Sequence, residues 1–202
     1  MKDTELVINE NVIYVKGNPR KVVMDKGSKG LIEFYSIIVS QNRGDILDVG
    51  FGMGFSANKL YENCDSYTCI EVNYDVYKKA LEWAKDKPNV TIHFGDWINI
   101  IPEMQLRDIK FDGIFMDTYD DINHDYFEKY AKLVSKQNCI LSMFNYFACR
   151  DKNTMNSIAF DLSGNKFMKN IENNHIINWT VFKDENFIKT DNKFNTYQTH
   201  LI

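Results

Sequence analysis

The chain has 202 residues, a formal net charge of −4 and 26% charged residues, enough for one domain with a substantial core. The mildly acidic balance speaks against a nucleic-acid partner, which needs a basic face. No apolar run approaches the ~20 residues that span a bilayer, and residues 1–16 are polar and mixed in charge with no apolar signal core, so the cytoplasm is the expected compartment and no membrane partner is expected.

Val7, Ile13 and Val15 predict a short strand or hairpin arm over residues 5–16. Leu31, Phe34, Tyr35 and Ile38 fall at helical spacing and predict an amphipathic helix over 28–41. Strand–helix alternation then sets in. A strand at 45–49 precedes a helix at 54–63, and a strand at 67–71 precedes a helix at 74–86. In that second helix Val76, Tyr77, Ala80, Leu81 and Ala84 form the apolar stripe, and Pro88 marks the stop. A strand at 90–94 precedes a helix at 97–105. A strand at 111–117 precedes a helix at 124–137 with Tyr126, Phe127, Tyr130 and Val134 inward, and a strand follows at 139–146. Beyond 150 the pattern predicts helical stretches at 153–161 and 165–172, then strands at 176–183 and 195–202 as an antiparallel edge. The expectation is an α/β fold: a Rossmann-like, doubly wound, mostly parallel seven-stranded sheet with helices on both faces. It forms a single domain over 1–202, in which residues 1–44 are an arm and helix covering the acceptor side.

Ligands of such sheets bind beyond the carboxyl ends of the strands, and those ends carry the distinctive residues. Ile-Leu-Asp-Val-Gly-Phe-Gly-Met-Gly at 46–54 is a buried strand ending in Asp48, then a turn with Gly50, Gly52, Met53 and Gly54. Glycine there lets the backbone approach a ligand. The spacing is neither GxGxxG nor a P-loop. Glu71, in Cys-Ile-Glu-Val-Asn with Val72 beside it, stands about 20 residues further on, where an acid accepts the hydroxyls of a ribose; a solvated strand-end carboxylate is the plainer role. In Gly95-Asp96-Trp97 the carboxylate suits an exocyclic adenine amine and the indole a ring face; a helix cap and a core indole are the alternative. Asp117, followed by Thr118 and Tyr119, ends the fourth strand of the alternation and faces the same cleft, unless it merely caps a helix.

In this order, Asp48 to Gly54, Glu71, Asp96 and Asp117 resemble the successive motifs of class I S-adenosylmethionine-dependent methyltransferases. Leu-Asp-Val-Gly-Phe-Gly-Met at 47–53, Phe-Asp-Gly-Ile at 111–114 and Asp-Thr-Tyr at 117–119 resemble, more particularly, guanidinoacetate N-methyltransferase and its arginine-methylating relatives. The resemblance implies S-adenosylmethionine as cofactor. The glycine turn and Met53 pass along its methionine moiety, Glu71 and Val72 hold the ribose, and Gly95, Asp96 and Trp97 frame the adenine. It implies a small guanidino or amine acceptor held by Asp117, Thr118, Tyr119 and Asn145, with Asp117 as the catalytic residue.

The family's second acid, upstream of the first sheet strand, falls on Ser28 in a count without gaps. Asp25, Glu33, Asp120 and Asp121 are the acids left to supply a second carboxylate, which a guanidinium suits. Three rival readings stand beside the small-molecule N-methyltransferase: an amine acceptor of the spermidine synthase kind, a cofactor-binding partner subunit without turnover, and a protein or peptide arginine methyltransferase. Cys64, Cys69, Cys139 and Cys149 form no CxxC pair and are expected as reduced thiols. His93, His124, His175 and His200 show no metal spacing, so no metal site is expected. His124 either lines the acceptor pocket or starts a helix. An oligomer is left open.

Overall fold

The computed structural model describes residues 3–37, 39–40, 43–119, 124–144 and 159–161. It opens with three antiparallel strands, β1 (Leu6–Ile8), β2 (Val12–Val15) and β3 (Asn18–Asp25), paired in that order. The hairpin arm expected over 5–16 is present and gains a third strand. Asn9 shapes its first turn, where Oδ1 accepts the amides of Asn11 at 2.9 Å and Val12 at 3.0 Å. Asp25 ends β3 and caps a single 3-10 turn, Lys26–Ser28, by accepting the Ser28 amide at 3.1 Å. That turn leads into α1 (Lys29–Ile37).

The alternating part follows: β4 (Asp45–Val49), α2 (Phe55–Tyr61), β5 (Ser66–Glu71), α3 (Tyr74–Ala84), β6 (Val90–Phe94), α4 (Trp97–Leu106), β7 (Phe111–Met116), α5 (His124–Leu133), β8 (Ser135–Met143) and β9 (Ala159–Asp161). These strands form one six-stranded sheet in the order β6-β5-β4-β7-β8-β9, parallel except for β9. The chain winds outward from β4 through β5 and β6, then returns to the other side of β4 with β7. This is the expected doubly wound α/β sheet, and it puts a crevice beyond the carboxyl ends of β4 and β7. The strands expected at 176–183 and 195–202, and the helix expected at 165–172, lie outside the described residues.

Alternation along the strands sorts the side chains onto two faces. Ile46, Tyr67, Cys69 and Phe115 pack against Tyr35 of α1, Ala57 and Leu60 of α2, and Val76 and Ala80 of α3. Leu47, Val49, Ile70, Ile114, Met116 and Leu141 pack on the other face against Ile101 and Met104 of α4 and Phe127 and Ala131 of α5. Each such large side chain, fully buried, contributes about 1.5–3 kcal/mol relative to exposure. Cys64, Cys69 and Cys139 are buried free thiols.

Three local expectations need correction. The helix expected over 124–137 ends at Leu133, and residues 135–138 belong to β8. Lys110 Nζ donates to the Leu133 carbonyl at 2.7 Å and Ser135 Oγ to that of Ala131 at 2.7 Å, which satisfies the helix's last turn. Lys136 is then drawn into the sheet, where Nζ lies 2.6 Å from Asp45 Oδ2 and 2.7 Å from Asp112 Oδ2. Residues 159–161, expected at the end of a helical stretch, form β9 and cover the open edge of β8 instead. In α3, Leu81 is 44% exposed. The inward residues are Val76, Ala80 and Trp83, whose Nε1 donates to Asn58 Oδ1 at 2.8 Å.

Four residues just past the strands are tied to the sheet in one manner. Each has an amide that donates to a carbonyl near the end of a neighbouring strand: Gly50 to Ile70 at 2.9 Å, Gly95 to Glu71 at 2.9 Å, Asp117 to Val49 at 2.9 Å and Phe144 to Met116 at 2.8 Å. The ladder therefore runs one residue past the strands and places the loop residues at a common height.

Candidate functional site

The turn after β4 is built on backbone that side chains disfavour. Gly50 has φ 98° and Gly52 φ 54°, values in the left-handed half of conformational space. A Cβ on Gly50 would strike the carbonyl oxygen of Asp117, and one on Gly52 would strike the thioether of Met24. The two strand ends, β4 and β7, thus approach each other across the one position without a side chain.

Glu71 fastens this turn. Its Oε2 accepts the Phe51 amide at 2.9 Å and its Oε1 the Asn73 amide at 2.7 Å, and the residue is 6% exposed. Burial pushes its pKa up, while hydrogen bonds from the Asn73 and Phe51 backbone oppose the rise. Asn73 in turn caps α3 through Oδ1, and its Nδ2 donates to the Thr4 carbonyl at 3.0 Å.

Asp48 lies beneath the turn with 0% exposure. Its Oδ2 accepts both Ser56 Oγ at 2.8 Å and Tyr67 OH at 2.7 Å. Its Oδ1 is buried with no hydrogen-bond partner among the described residues. Burial lifts its pKa to about 7; the two hydroxyls oppose the rise and the Glu71 charge adds to it. The carboxylate braces α2 and β5 from inside.

Asp117 follows β7 directly. As a residue it is half-buried, but Oδ2 is fully buried and has no hydrogen-bond partner among the described residues. Burial, then the charges of Asp48 and Glu71, push its pKa up to about 8. An acid in this state can receive a donor or a cation that the described residues do not supply.

The other expected residues fall nearby. Val72 follows Glu71, and Thr118 and Tyr119 follow Asp117, all half-buried; Lys21 Nζ lies 5.6 Å from the Tyr119 ring centroid. Asp96 caps α4 by accepting the Ile98 amide at 3.0 Å, and the Trp97 ring packs at 5.3 Å against Tyr130. The plainer roles of these two residues are thus filled, and Gly95 holds its place in the sheet ladder beside them. Met53 donates its amide to Met24 Sδ at 3.1 Å. Ser28 is buried and Asp25 Oδ1 accepts its amide, so an acid does stand beside the position where the family acid falls; Glu33 lies 3.6 Å from Lys29 Nζ. His124 is the first residue of α5. Asn145, Asp120, Asp121, Cys149, His175 and His200 lie outside the described residues.

Sequence reasoning missed Met24, Asn73, Tyr67 and Ser56. Only Asn73 carried a signal, since it stands at the N-cap position before a helix. The donor chemistry of this residue set fits S-adenosylmethionine: a left-handed glycine turn at one strand end, an acid closing the next strand, and a buried carboxylate oxygen without a partner among the described residues.

Comparison with known proteins agrees. The sequence model described as Guanidinoacetate N-methyltransferase matches residues 10–148. Protein arginine N-methyltransferase 2 of Kluyveromyces lactis is 30% identical over 151 residues, 70% of this chain and 37% of that protein. Its namesake in Saccharomyces cerevisiae is 30% identical over 156 residues, again 70% and 37%. The chain thus spans little more than a third of the length of these relatives. Among solved structures, the O-methyltransferase TomG from Streptomyces achromogenes, in complex with S-adenosylmethionine, shares the fold at TM-score 0.50 and 20% identity, over 65% of this chain and 62% of that one. A spermidine synthase holding a transition-state analogue does so at TM-score 0.50 and 16% identity, over 69% and 51%.

Fold, strand-end residues and relatives together define a class I S-adenosylmethionine-dependent methyltransferase. S-adenosylmethionine is the cofactor of that class. Within it, the chain belongs to the guanidinoacetate N-methyltransferase family.

Proposed function

We propose that this chain transfers a methyl group from S-adenosylmethionine to a nitrogen of a small guanidino or amino compound, and that Asp117 binds and orients that nitrogen. The observation that carries the reading is the buried Asp117 Oδ2, which has no partner among the described residues and feels the charges of two further carboxylates. A guanidinium or ammonium group supplies the N–H donors and the positive charge that this oxygen lacks.

When bound, S-adenosylmethionine supplies an electrophilic methyl group with a thioether as leaving group. The chain's residues do the rest. The Gly50–Gly54 turn and Glu71 would hold the methionine and ribose ends, Val72 and Gly95–Trp97 would flank the base, and Asp117 would fix the acceptor nitrogen, which is catalysis by orientation. Free guanidinium titrates above about pH 12 and so rarely offers a lone pair at neutral pH. In the ligand-free chain burial holds the Asp117 pKa up, and a cationic acceptor favours its ionised, proton-accepting form. Asp117 then takes up the nitrogen's proton as the lone pair is used. Thr118, Tyr119 and Asn145 would shape the acceptor side.

Labelled methyl transfer from S-adenosylmethionine into guanidino and amine compounds tests the reading. Asp117→Asn should lower turnover by at least about 100-fold, the usual contribution of a general base, while cofactor binding persists. Wild-type turnover in that variant removes Asp117 from the mechanism. One observation favours a second reading: both yeast relatives are named as protein arginine methyltransferases. An arginine side chain presents the same guanidino group, so arginine peptides belong in the same assay.

A further inference from the structure

We propose that Asp48, Glu71 and Asp117 act as one cation-selecting unit, which gives up a proton when a positively charged ligand enters and takes it back when the ligand's charge is lost. The proposal rests on the reading of this cleft as the S-adenosylmethionine site and adds Asp48 to it as a positioning residue.

The sheet register sets the unit. Asp48 pairs with Cys69 on one side and Phe115 on the other. Two residues on, the Gly50 amide still donates to Ile70 and the Asp117 amide to Val49, so Gly50 lies between Glu71 and Asp117. Those two acids continue the same faces as Cys69 and Phe115, two residues along each strand. Two carboxylates therefore flank Gly50, whose side-chain direction is closed by the Asp117 carbonyl oxygen, and a third carboxylate lies beneath it.

Among the described residues no counter-charge balances them. β5 turns Tyr67, Cys69 and Glu71 toward Asp48, β7 leads to Asp117, α2 adds Ser56, and β3 lays the Met24 thioether on the turn. Among the described residues no Lys, Arg or His forms an ion pair with any of the three acids. Both donors to Asp48 converge on Oδ2, and the buried oxygens without partners are Asp48 Oδ1 and Asp117 Oδ2. A proton on either neutralises one charge and breaks no existing hydrogen bond. The Asp48 and Glu71 charges both raise the Asp117 pKa, so the three carboxylates titrate as a coupled set.

A cation held beside Asp117 supplies the missing charge and drives the proton off. As the N–C bond forms at the acceptor and the S–C bond breaks, the acceptor's N–H proton goes to Asp117. The unit is thus re-protonated by the event that turns the sulfonium into a thioether. The site holds the charged cofactor and loosens on its neutral product.

Titration calorimetry of S-adenosylmethionine and S-adenosylhomocysteine, each in phosphate and in Tris at neutral pH, counts the protons exchanged on binding. The sulfonium charge lowers the α-amino pKa of S-adenosylmethionine relative to that of S-adenosylhomocysteine, so each ligand's own α-amino contribution is subtracted using its titration free in solution. S-adenosylmethionine should release about half a proton more, and its affinity should climb with pH between 6 and 8, by at most about tenfold per pH unit. Asp48→Asn should remove at least half of that difference, with binding retained. Tyr67→Phe deletes a donor to the Asp48 carboxylate and leaves the ring in the core; it should move the affinity rise to higher pH. Equal proton counts for the two ligands in the wild-type protein overturn the proposal alone. Failure of both ligands to bind overturns the reading of the cleft and the proposal with it.

Discussion

Asp48→Asn isolates what it costs the fold to keep a carboxyl beneath the glycine turn. In the folded chain burial raises the Asp48 pKa to about 7, from an ordinary 3.8. Between those values the folded state holds a proton that the unfolded chain has lost, so stability falls as pH rises across that window. At about 1.4 kcal/mol per pH unit, the loss accumulated by pH 7 reaches up to ~4 kcal/mol. Asparagine stays neutral throughout. Its oxygen can still accept from Ser56 and Tyr67, but its amide lies where Oδ1 has no partner, a pH-independent cost of about 1–3 kcal/mol. The slope, not the offset, is therefore diagnostic. Urea unfolding of the ligand-free protein at pH 4, 5, 6, 7 and 8 should show the wild type losing stability relative to the variant up to pH 7 and levelling off above it. Glu71 and Asp117 give both proteins a slope of the same sign; because the Asp48 charge helps raise the Asp117 pKa, the variant also loses part of the Asp117 slope, which adds to the difference with the same sign. Parallel curves from pH 4 to 8 would refute the buried, proton-holding carboxyl.

Gly50→Ala drives a methyl into the Asp117 carbonyl at a positive φ. It should cost about 1–3 kcal/mol of stability and abolish S-adenosylmethionine binding by calorimetry; wild-type affinity would show that the β4 and β7 ends need not approach so closely. Glu71→Gln turns one of the two acceptors of the Phe51 and Asn73 amides into a donor. A hydrogen bond to a charged group is worth about 1.5–3 kcal/mol, so cofactor affinity should fall at least about tenfold with circular dichroism unchanged.

The residues that could be read from the chain are those whose position follows from local pattern. Asp48, Glu71 and Asp117 each close an apolar run, and a strand end in a parallel sheet leaves little choice of where the next side chain goes. The boundary between α5 and β8 could not be read, because residues 135–137 are polar and continue the helix pattern. What pulls them into the sheet is Lys136 meeting Asp45 and Asp112, acids 91 and 24 residues away. The Tyr67–Asp48 bond was hidden for another reason. A tyrosine in a strand reads as core, which it is, and only the register shows that its hydroxyl tip reaches a carboxylate on the next strand. Met24 gave no signal at all, since its contact with the glycine turn depends on how an antiparallel arm folds across a sheet that begins twenty residues later. Leu81 shows the opposite failure: periodicity counted it inward, but the helix seats Trp83 instead, and the larger ring decides the rotation.

The shared height of the loop amides has an entropic consequence. Gly50, Gly95, Asp117 and Phe144 each follow a strand with an amide already spent on the neighbouring strand. These four amides should exchange with solvent deuterium as slowly as those of the sheet interior, and only the residues beyond them should open locally. A ligand arriving at this rim meets backbone whose freedom was surrendered when the sheet formed, so little ordering remains to be charged against its affinity.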